Sequence, residues 1–544
     1  MNYSLVWTTV RYLRATQVVG QVWNRFKKKE RAYFKTLPAK TWEVRFAIPE
    51  LDCDGMLEER FGVELMPKGR VMLLNQMVNL NYRLDYTKKL KPLIYNNVYY
   101  FEYGIALASA YNRTGDKKWW ELFKKCYEDY LAAKADLKSA YSMALHIPNV
   151  MIALELFGNV VDEAFREKVY CELYSQYVYL QAHQEKHLLA NHYFEDLKAL
   201  IIASYLFGED EKLAGYLKDF KKQCEEQILE DGMHYELSPM YHKLILEDVM
   251  RIGMLAEMPG FPECGWIVSL IQKMTDACYS LEMGMGRTPL FNDAGDNVAK
   301  TCKQLCLAAS HQFGVTALAI NELPASGYYK LYDGNRALLM DAGKIGVNYQ
   351  PAHGHCDCLS FELAVDGNPL FINSGTYEYQ GDLRKIFRKT CAHNTVEIGG
   401  REQSQCWGGF RVAKRISYVL GELKGNSIEG SYMSYSGDMH RRVVSLADGV
   451  LTVKDRVKTA AGTEIKSYLH IAPDYNYYNG IITNKTTGEA ICNVVPLYST
   501  VASATAYELK YYAPEFGDLK IGSCLVFTWQ ADEKEHGYII DFNQ

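Results

Sequence analysis

Apolar residues recur with the spacing of α-helices through most of residues 95–325. In this stretch an apolar helix, a glycine and an acidic or polar start of the next helix form a unit that occurs four times. Glycine just beyond a helix readily takes the left-handed conformation that terminates it. Units of about 40–50 residues with two helices each predict stacked helical hairpins, which form either an open solenoid or a closed toroid. The terminating glycines are Gly115, Gly158, Gly208 and Gly260.

The pattern changes near Ala325 to short apolar runs separated by turn signals. Asp366-Gly367 and Asp448-Gly449 each lie between two such runs, as tight hairpin turns require. Dense short strands predict an antiparallel β-sandwich. We therefore predict a multidomain α+β chain, with a helical domain at residues 1–325, a sandwich domain at 326–544, and a ligand cleft between them. The predicted strands are Ala337–Met340, Leu359–Val365, Ser427–Met433, Val443–Leu446, Val450–Val453 and Ser467–Ile471.

The composition of the 544-residue chain is that of a globular protein, because 48% of its residues are hydrophobic and 23% are charged. A net charge of −5 gives no basic surface for nucleic acid, so no nucleic-acid partner is expected. No apolar run reaches the ~18 residues of a membrane span. The 41 Tyr suit a sugar-binding surface or the edge of a core, and 14 scattered Cys suit a reducing compartment.

The first 35 residues carry eight Lys or Arg and one acid, Glu30, with Trp7, Trp23 and Phe26 among them. One interpretation is a helix that lies on an anionic membrane surface. The other is a solvated basic helix at the edge of the domain, which is favoured because the charges are not confined to one face. The stretch lacks the uninterrupted apolar segment and cleavage site of a signal peptide.

Four segments place polar residues where an apolar pattern is expected. Asn191 opens a helix, where Asn is also a good N-cap. The second segment contains two His, two Tyr and two acids around a Ser238-Pro239 helix start, which is more than a turn requires. Solvated polar surface is the alternative interpretation for the second and fourth segments. The segments are Asn191–Glu195, Asp231–His242, His353–Cys358 and Arg384–Asn394.

The third segment, His353-Gly354-His355-Cys356-Asp357-Cys358, offers ligands of the type that zinc prefers. Neighbouring side chains on an extended segment alternate sides, so its four His and Cys side chains rarely bind one ion together. Two His with a third ligand from elsewhere is the more plausible set. The alternative is that these His make hydrogen bonds at the start of a strand.

These segments resemble the heparinase II/III family of polysaccharide lyases, and the resemblance covers most of the chain. It implies an (α/α) toroid followed by an antiparallel β-sandwich. It also implies a lyase that cleaves uronic-acid-containing polysaccharides or oligosaccharides by β-elimination. The motifs that carry it are Asn191-His192, Glu236-x-Ser238-Pro239-x-Tyr241-His242, His353-x-His355-x-Asp357, Gly375-Thr376-Tyr377, Phe387-Arg388, Ala392-His393-Asn394-Thr395 and Trp407-Gly408-Gly409.

Elimination must neutralise the uronate carboxylate, remove the C5 proton and protonate the leaving oxygen. The resemblance implies that Tyr241 and His353 are the acid–base pair. It implies that the carboxylate is neutralised by Asn191, His192 and Arg388. Further substrate contacts are expected from His146, which stands where relatives commonly carry Arg, and from Glu236 and His242.

Some family members hold zinc in the β half. By motif position the ligands here are His355, Asn373 and His393, with Asn373 where relatives usually have Asp. A neutral amide predicts a weak or empty site, unless Cys356 or Asp357 substitutes. No nucleotide or redox cofactor is expected for elimination. Without a signal peptide the cytoplasm is the expected location, and the periplasm, usual for the family, is the alternative.

Two other functions remain open. The first is a non-catalytic carbohydrate-binding or surface-polysaccharide assembly protein with the same fold, against which the complete catalytic set argues. The second is a glycoside hydrolase, which requires two opposed carboxylates. Glu195, Asp231 and Glu236 are available for that role, but no pairing is evident.

Overall fold

The computed structural model describes residues 3–27, 30–37, 41–80, 90–133 and 139–543. Helices dominate as far as Phe313 and strands dominate from Glu322 onward, which confirms the predicted α+β organisation. The helices are α1 (Tyr3–Val10), α2 (Ala15–Phe26), α3 (Pro49–Asp52), α4 (Gly55–Phe61), α5 (Pro92–Tyr100), α6 (Tyr103–Thr114), α7 (Lys118–Ala132), α8 (Ala140–Phe157), α9 (Glu163–His183), α10 (Ala190–Leu206), α11 (Asp210–Gln227), α12 (Pro239–Ala256), α13 (Ile267–Glu282), α14 (Cys302–Phe313) and α15 (Asp382–Phe387).

The helical half is a ring of antiparallel hairpins. Helices α6, α8, α10, α12 and α14 each pack against the next, and the short α3 contacts both α14 and α6. These contacts close the ring, so the hairpins form a toroid rather than an open solenoid. Helices α7, α9, α11 and α13 connect the inner helices in sequence and pack on them from outside.

Glycines terminate these hairpin helices as the sequence predicted. Gly115 and Gly158 directly follow α6 and α8, with φ of 67° and 58°. Gly208 and Gly260 follow α10 and α12 within a few residues, with φ of 64° and 79°. These positive φ angles cost a side-chain-bearing residue steric energy, so glycine favours a helix end at each position.

Helix α8 and the turn that follows it, Ala140–Val160, form the one helical segment among the described residues that is long and apolar enough to cross a bilayer. Of its most apolar window, 61% is buried inside the protein. The helix packs between α6 and α10 in the ring. Its apolar side chains therefore contact protein, as those of a core helix do.

The strand-rich half is a sandwich of two antiparallel sheets. The strands are β1 (Arg70–Leu73), β2 (Gln76–Asn79), β3 (Glu322–Leu323), β4 (Tyr328–Asp333), β5 (Arg336–Asp341), β6 (Phe361–Val365), β7 (Asn368–Phe371), β8 (Val396–Ile398), β9 (Cys406–Trp407), β10 (Arg411–Val412), β11 (Ser417–Lys424), β12 (Ser427–Met433), β13 (Met439–Ala447), β14 (Val450–Lys458), β15 (Glu464–Ile471), β16 (Tyr475–Tyr478), β17 (Ile481–Asn484), β18 (Ala490–Leu497), β19 (Thr500–Ser503), β20 (Tyr511–Glu515), β21 (Asp518–Ile521), β22 (Ser523–Gln530) and β23 (His536–Asp541). One sheet has the order β11-β12-β13-β14-β23-β18-β17-β16, and the other has the order β19-β22-β15-β7-β6-β5-β4-β3, with β8 paired to β15.

Both predicted Asp-Gly turns join adjacent antiparallel strands. Asp366-Gly367 links β6 to β7, and Asp448-Gly449 links β13 to β14. All four residues have positive φ, as a two-residue hairpin turn of type I′ requires. In β13 and β14 buried and more exposed residues alternate, so one face of that sheet packs into the sandwich core.

Candidate active site

A cavity of about 360 Å³ lies between the helical ring and the sandwich. This volume is within the range of small-ligand sites. Both halves of the chain contribute polar and aromatic side chains to its wall. From the helical half these include Asn191, His192 and Tyr241, and from the strand-rich half His353, Tyr379 and Phe410.

His353 is held with one ring nitrogen bonded and the other turned toward Asn191. Its Nδ1 lies 2.8 Å from Oδ2 of Asp293, and its Nε2 lies 3.3 Å from Nδ2 of Asn191. Because a carboxylate can only accept, Nδ1 carries the proton and Nε2 keeps its lone pair. The ring is therefore oriented to accept a proton through Nε2.

Asp293 is the carboxylate that organises this part of the site. It lies between α13 and α14 and also bonds to Nε2 of His355, at 2.9 Å, and to the guanidinium of Arg384. Burial raises the pKa of Asp293. The charge of Arg384 and the hydrogen bonds from His353 and His355 lower it by more, so the net pKa is well below its usual range. Asp293 is thus a fixed negative charge behind His353.

Asn191 does not cap its helix. Helix α10 begins at Ala190, and both Leu189 and Ala190 have positive φ, a conformation that costs non-glycine residues energy. The Asn191 amide nitrogen lies 3.0 Å from Oε2 of Glu236. Burial raises the pKa of Glu236, although His353 and Asn191 oppose this. Glu236 itself lies behind Asn191, which it orients toward the cavity.

Tyr241 sits at the start of α12, where the predicted Ser238-Pro239 helix start is found. The Ser238 hydroxyl caps the helix by accepting from the backbone N–H of Tyr241, at 3.2 Å. The Tyr241 ring lies 4.0 Å from the His353 ring, and its hydroxyl is 2.7 Å from that of Tyr379. Burial raises the pKa of Tyr241 well above its ordinary value, so the phenol holds its proton at neutral pH.

His192 lines the opposite part of the cavity and is paired with an acid. Its Nδ1 lies 2.6 Å from Oε2 of Glu185, and its ring lies 4.4 Å from that of Tyr141. Burial lowers the pKa of His192, but the hydrogen bond and charge of Glu185 outweigh this, and the net pKa is raised. Glu185 thus stabilises the imidazolium form, which attracts a carboxylate.

Arg388 does not reach the cavity. Its Nε and Nη2 donate to the carbonyl oxygen of Gly354, at 3.0 and 2.9 Å, and its Nη1 donates to that of Gly409. The side chain is 2% exposed. Its donors are thus used to hold the loop that carries His353, and the structure does not bring the predicted carboxylate clamp to the cavity wall.

His146 and His242, which the sequence predicted as substrate contacts, are not among the residues that line the cavity. His146 is in the ring core, stacked on Tyr130, with Nδ1 bonded to the Tyr99 carbonyl oxygen at 2.8 Å. Its burial lowers its pKa to about 3. His242 bonds to the Met274 carbonyl oxygen at 2.9 Å. Both are neutral imidazoles that satisfy buried backbone groups.

The charged side chains that line the cavity are mostly acidic. Lys198 lies 2.5 Å from carboxylate oxygens of both Glu195 and Asp248, so one cation serves two acids. Burial and the nearby Glu195 raise the pKa of Asp248 well above its ordinary value. The acidic lining residues are Glu102, Glu185, Glu195, Glu247 and Asp248, and the Lys and Arg residues are Arg60 and Lys198.

A buried group of His355, Asp357 and His393 could hold a metal ion, since one ligand atom from each lies within 4.8 Å of the others. Asp293 fixes Nε2 of His355, and the amide oxygen of Asn373 lies 3.2 Å from Nδ1 of His393. The remaining nitrogens, His355 Nδ1 and His393 Nε2, are buried without a hydrogen bond among the described residues.

This donor set fits zinc. Burial lowers the pKa of His355 to about 4 and that of His393 well below its usual value, so both are neutral, as metal ligands must be. Asn373 supports His393 through its other nitrogen, whereas Asp357 supplies the carboxylate. The Cys356 thiol points instead toward the Ser404 carbonyl oxygen, at 3.4 Å.

Sequence reasoning missed several residues that shape the site. Asp293 and Tyr379 lie outside every motif singled out above, and nothing local distinguishes Asp293 from other acids that follow Asn. Arg384 lies inside the fourth segment, where the resemblance points to Arg388 instead. Phe410 lines the cavity beside Tyr379 and His353, whose ring centroids lie 5.2 and 6.2 Å from its own. Only the folded chain brings these residues together.

Two family models match the chain along most of its length. The model "Heparinase II/III N-terminus" matches residues 88–314, and "Heparinase II/III-like, C-terminal" matches residues 316–532. The first covers most of the helical ring, and the second covers most of the sandwich.

Two curated relatives are each called heparin-sulfate lyase. One, from Bacteroides stercoris, is 25% identical over 47% of this chain and 42% of its own length. The other, from Pedobacter heparinus, is 23% identical over 54% of this chain and 50% of its own. The matches thus span about half the length of these relatives. A crystal structure of heparinase III shares the fold, with a TM-score of 0.67, 18% identity, and coverage of 96% of this chain and 88% of that one.

Proposed function

Because the chain belongs to the heparinase II/III family, we propose that it is a polysaccharide lyase that cleaves a uronic-acid-containing polysaccharide or oligosaccharide by β-elimination. The observation that carries the proposal is the meeting of His353 Nε2, the Tyr241 hydroxyl, Asn191 and His192 around one cavity. These are an acceptor, a proton donor and two groups for a carboxylate. The names of the two relatives agree with this activity.

Carboxylate neutralisation falls to His192 and Asn191 in this proposal. The His192 imidazolium, favoured by Glu185, supplies positive charge. The Asn191 N–H that points at His353 Nε2 turns to the bound carboxylate, which also leaves that nitrogen free to take a proton. Such fixed donors stabilise the negative charge that develops on the carboxylate when the C5 proton leaves. Arg388 instead holds the Gly354 backbone beside His353.

Proton transfer falls to His353 and Tyr241. His353 Nε2 takes the C5 proton, and the charge of Asp293 stabilises the imidazolium that results. The C4–C5 double bond forms as the C4–O bond breaks, and the Tyr241 phenol gives its proton to the leaving oxygen. The raised pKa of Tyr241 suits a donor and disfavours a base. Return of a proton from the His353 imidazolium to the Tyr241 phenolate, which the Tyr379 hydroxyl contacts at 2.7 Å, then restores both groups.

The substrate that suits this cavity carries few sulfate groups. Five acidic side chains face two Lys or Arg, and those two are already paired with acids. The raised pKa of Asp248 favours its neutral form, which leaves four other acidic side chains at the cavity wall. Each sulfate would bring another negative charge close to them, with no uncommitted Lys or Arg among the described lining residues. An unsulfated uronide brings only the carboxylate that His192 and Asn191 neutralise.

A metal ion would be held by His355, Asp357 and His393. Bound there, zinc would supply a fixed positive charge and a rigid cross-link between the loops before β6 and β8. His355 is joined through Asp293 to His353, so the ligand residues orient the same carboxylate that orients the catalytic imidazole.

A panel of uronic polysaccharides and their oligosaccharides, followed near the ultraviolet edge, tests the lyase proposal. Elimination gives an unsaturated uronide that absorbs there, whereas hydrolysis gives only new reducing ends. We expect absorbance to rise, and faster on an unsulfated glucuronate polymer than on heparin. Reducing ends without absorbance would favour a hydrolase, and binding without products would favour a carbohydrate-binding protein.

The geometry argues against the hydrolase. Asp231 accepts from the Ser326 backbone N–H and hydroxyl, at 2.7 and 2.9 Å, so it is committed to a loop. Glu236 lies behind Asn191, and Glu195 is bound to Lys198. None of the three forms an opposed pair across the cavity of the kind that glycoside hydrolysis uses.

A further inference from the structure

The side of helix α2 that faces the protein is polar. Gln17 is 1% exposed and donates to the Tyr349 carbonyl oxygen, at 3.3 Å. Asn24 lies 3.3 Å from Nε2 of His187. A Cβ atom on Gly20 would lie 2.7 Å from the Cβ of His187. Glycine is therefore required here for α2 to pack this close to His187. These three residues project within about 60° of one another on a helical wheel.

The opposite side of α2 is apolar and exposed. Its five residues span an arc of about 140° at 100° per residue. A helix packed on a protein ordinarily turns such an arc inward, so α2 is inverted relative to the pattern of a globular protein. The exposed residues are Val18 (37%), Val19 (67%), Val22 (54%), Trp23 (68%) and Phe26 (81%).

Helix α1 extends the same kind of surface. Tyr3 and Trp7 are 83% and 74% exposed. The other side of α1 is attached to the protein, since the Thr9 hydroxyl accepts from Trp407 Nε1 at 3.0 Å. Residues 3–27, which we call the N-terminal hairpin, therefore rest on the protein through polar contacts and present aromatic and branched residues outward.

The charge of this region is entirely positive. Residues 1–29 contain six Lys or Arg and no Asp or Glu. Arg11 and Arg25 are exposed, and Arg25 projects about 20° from Val18 at the edge of the apolar arc. An exposed apolar arc with Trp residues and a basic edge has the two features that bind a helix in the plane of an anionic bilayer.

We propose that the N-terminal hairpin binds the surface of an anionic lipid bilayer. Helix α2 has 12 residues, a length of about 18 Å, so it lies along the surface and does not span the membrane. The charges are indeed scattered, as the sequence suggested. It is the apolar residues that are confined to one face, and that face is turned to solvent. Lipid contact would cover it, and anionic headgroups would complement the Arg side chains.

Co-sedimentation of the full chain with vesicles tests this proposal. We expect binding to vesicles of 30% phosphatidylglycerol in phosphatidylcholine, at least tenfold weaker binding to pure phosphatidylcholine, and weakening by added salt. The Trp7→Ser/Trp23→Ser/Phe26→Ser variant should lose binding at least tenfold. The Arg11→Glu/Arg25→Glu variant should lose binding to the anionic vesicles.

A matched control removes exposed apolar residues elsewhere. Tyr418, Leu420 and Tyr478 are 74%, 69% and 75% exposed in the sandwich, and their triple Ser variant should bind like the unchanged chain. Thermal melting checks that each variant folds. The proposal fails if the chain does not bind anionic vesicles, or if the Trp7→Ser/Trp23→Ser/Phe26→Ser variant binds them as strongly as the unchanged chain. It also fails if the apolar arc instead forms a dimer, seen by light scattering, that the aromatic variant abolishes.

Discussion

A single carboxylate determines which nitrogen of His353 can act as a base. Asp293→Asn keeps the shape but can present an amide N–H where the acceptor was, which favours the wrong imidazole tautomer. We expect turnover to fall by about 10²–10⁴, the usual worth of acid–base catalysis, with KM little changed. Initial rates of unsaturated-uronide formation measure this.

The control for Asp293→Asn is a variant that removes only a long hydrogen bond to this carboxylate. Thr376 places its hydroxyl 3.4 Å from Oδ1 of Asp293. Thr376→Val removes that contact and should lower turnover by less than about tenfold. Equal losses in the two variants would mean that general disturbance of the loop, rather than the tautomer, limits the rate.

Removal of the Tyr241 hydroxyl tests the proton donor. Tyr241→Phe leaves the ring in place, with its centroid 4.0 Å from that of His353, so the fold should survive while turnover drops by about 10²–10⁴. Tyr379→Phe removes only the hydroxyl that bonds to Tyr241 and should cost less. Near-normal turnover by a folded Tyr241→Phe protein would exclude this residue as the donor.

The Glu185–His192 pair predicts a pH dependence of substrate affinity. The raised pKa of His192 keeps it cationic as pH rises, so affinity for a carboxylate should weaken only above that pKa. In Glu185→Gln burial lowers the pKa without compensation, and affinity should weaken at lower pH. We expect the ratio of the KM of the variant to that of the unchanged enzyme to be near one at low pH, where both imidazoles are protonated, and to rise severalfold as pH increases through the lower pKa of the variant. A KM ratio that does not change with pH would contradict this role.

A residue's position at the cavity was predictable where a local motif contained it, as for Asn191, Tyr241 and His353. It was not predictable where function depends on distant partners. Asp293 is 60, 62 and 91 residues from His353, His355 and Arg384, and no local spacing records those contacts. Arg388 had the right chemistry, but its orientation depends on the Gly354 and Gly409 carbonyls.

At the scale of an element, the start of helix α12 controls the position of Tyr241. The Ser238 hydroxyl both caps the Tyr241 N–H and donates to the Asp293 carbonyl oxygen, at 2.5 Å. Ser238→Ala should lower the free energy of unfolding by about 1 kcal/mol and also lower turnover, whereas Ser238→Thr should retain both. Denaturant unfolding and initial rates measure this. Loss of stability without loss of turnover would show that the cap does not position Tyr241.

Helix ends and hairpin turns were predictable because glycine marks the positive φ angles that they require. Other elements contradict their local signals. Leu189, Leu237 and Asn292 have φ near 60° next to site residues, although none is glycine. Helix α2 exposes its apolar face. Such conformations are stable only because surrounding contacts impose them, so the local sequence does not reveal them.

At the scale of the molecule, the two halves build one site and one candidate metal group. Asp293 belongs to the segment that links α13 and α14, yet its partners His353 and His355 lie in the strand-rich half. The sequence predicted a weak zinc site because Asn373 is neutral. The structure instead brings Asp357 to the two His. We therefore expect zinc to bind through Asp357 and to stabilise the folded chain, by about 2.7 kcal/mol at a hundredfold excess over Kd.

Equilibrium dialysis and thermal melting separate the two carboxylate positions. Asp357→Asn should lose zinc and the accompanying rise in Tm. Asn373→Asp should change occupancy little, because Asn373 contacts Nδ1 of His393, the nitrogen that faces away from the group. Cys406→Ser is the matched control, since that thiol lies near Cys356 but outside the group. If zinc occupancy instead rises only in Asn373→Asp, position 373 is the ligand position. Asp357 would then act only as the acceptor for the Asn292 backbone N–H, to which it is already bonded.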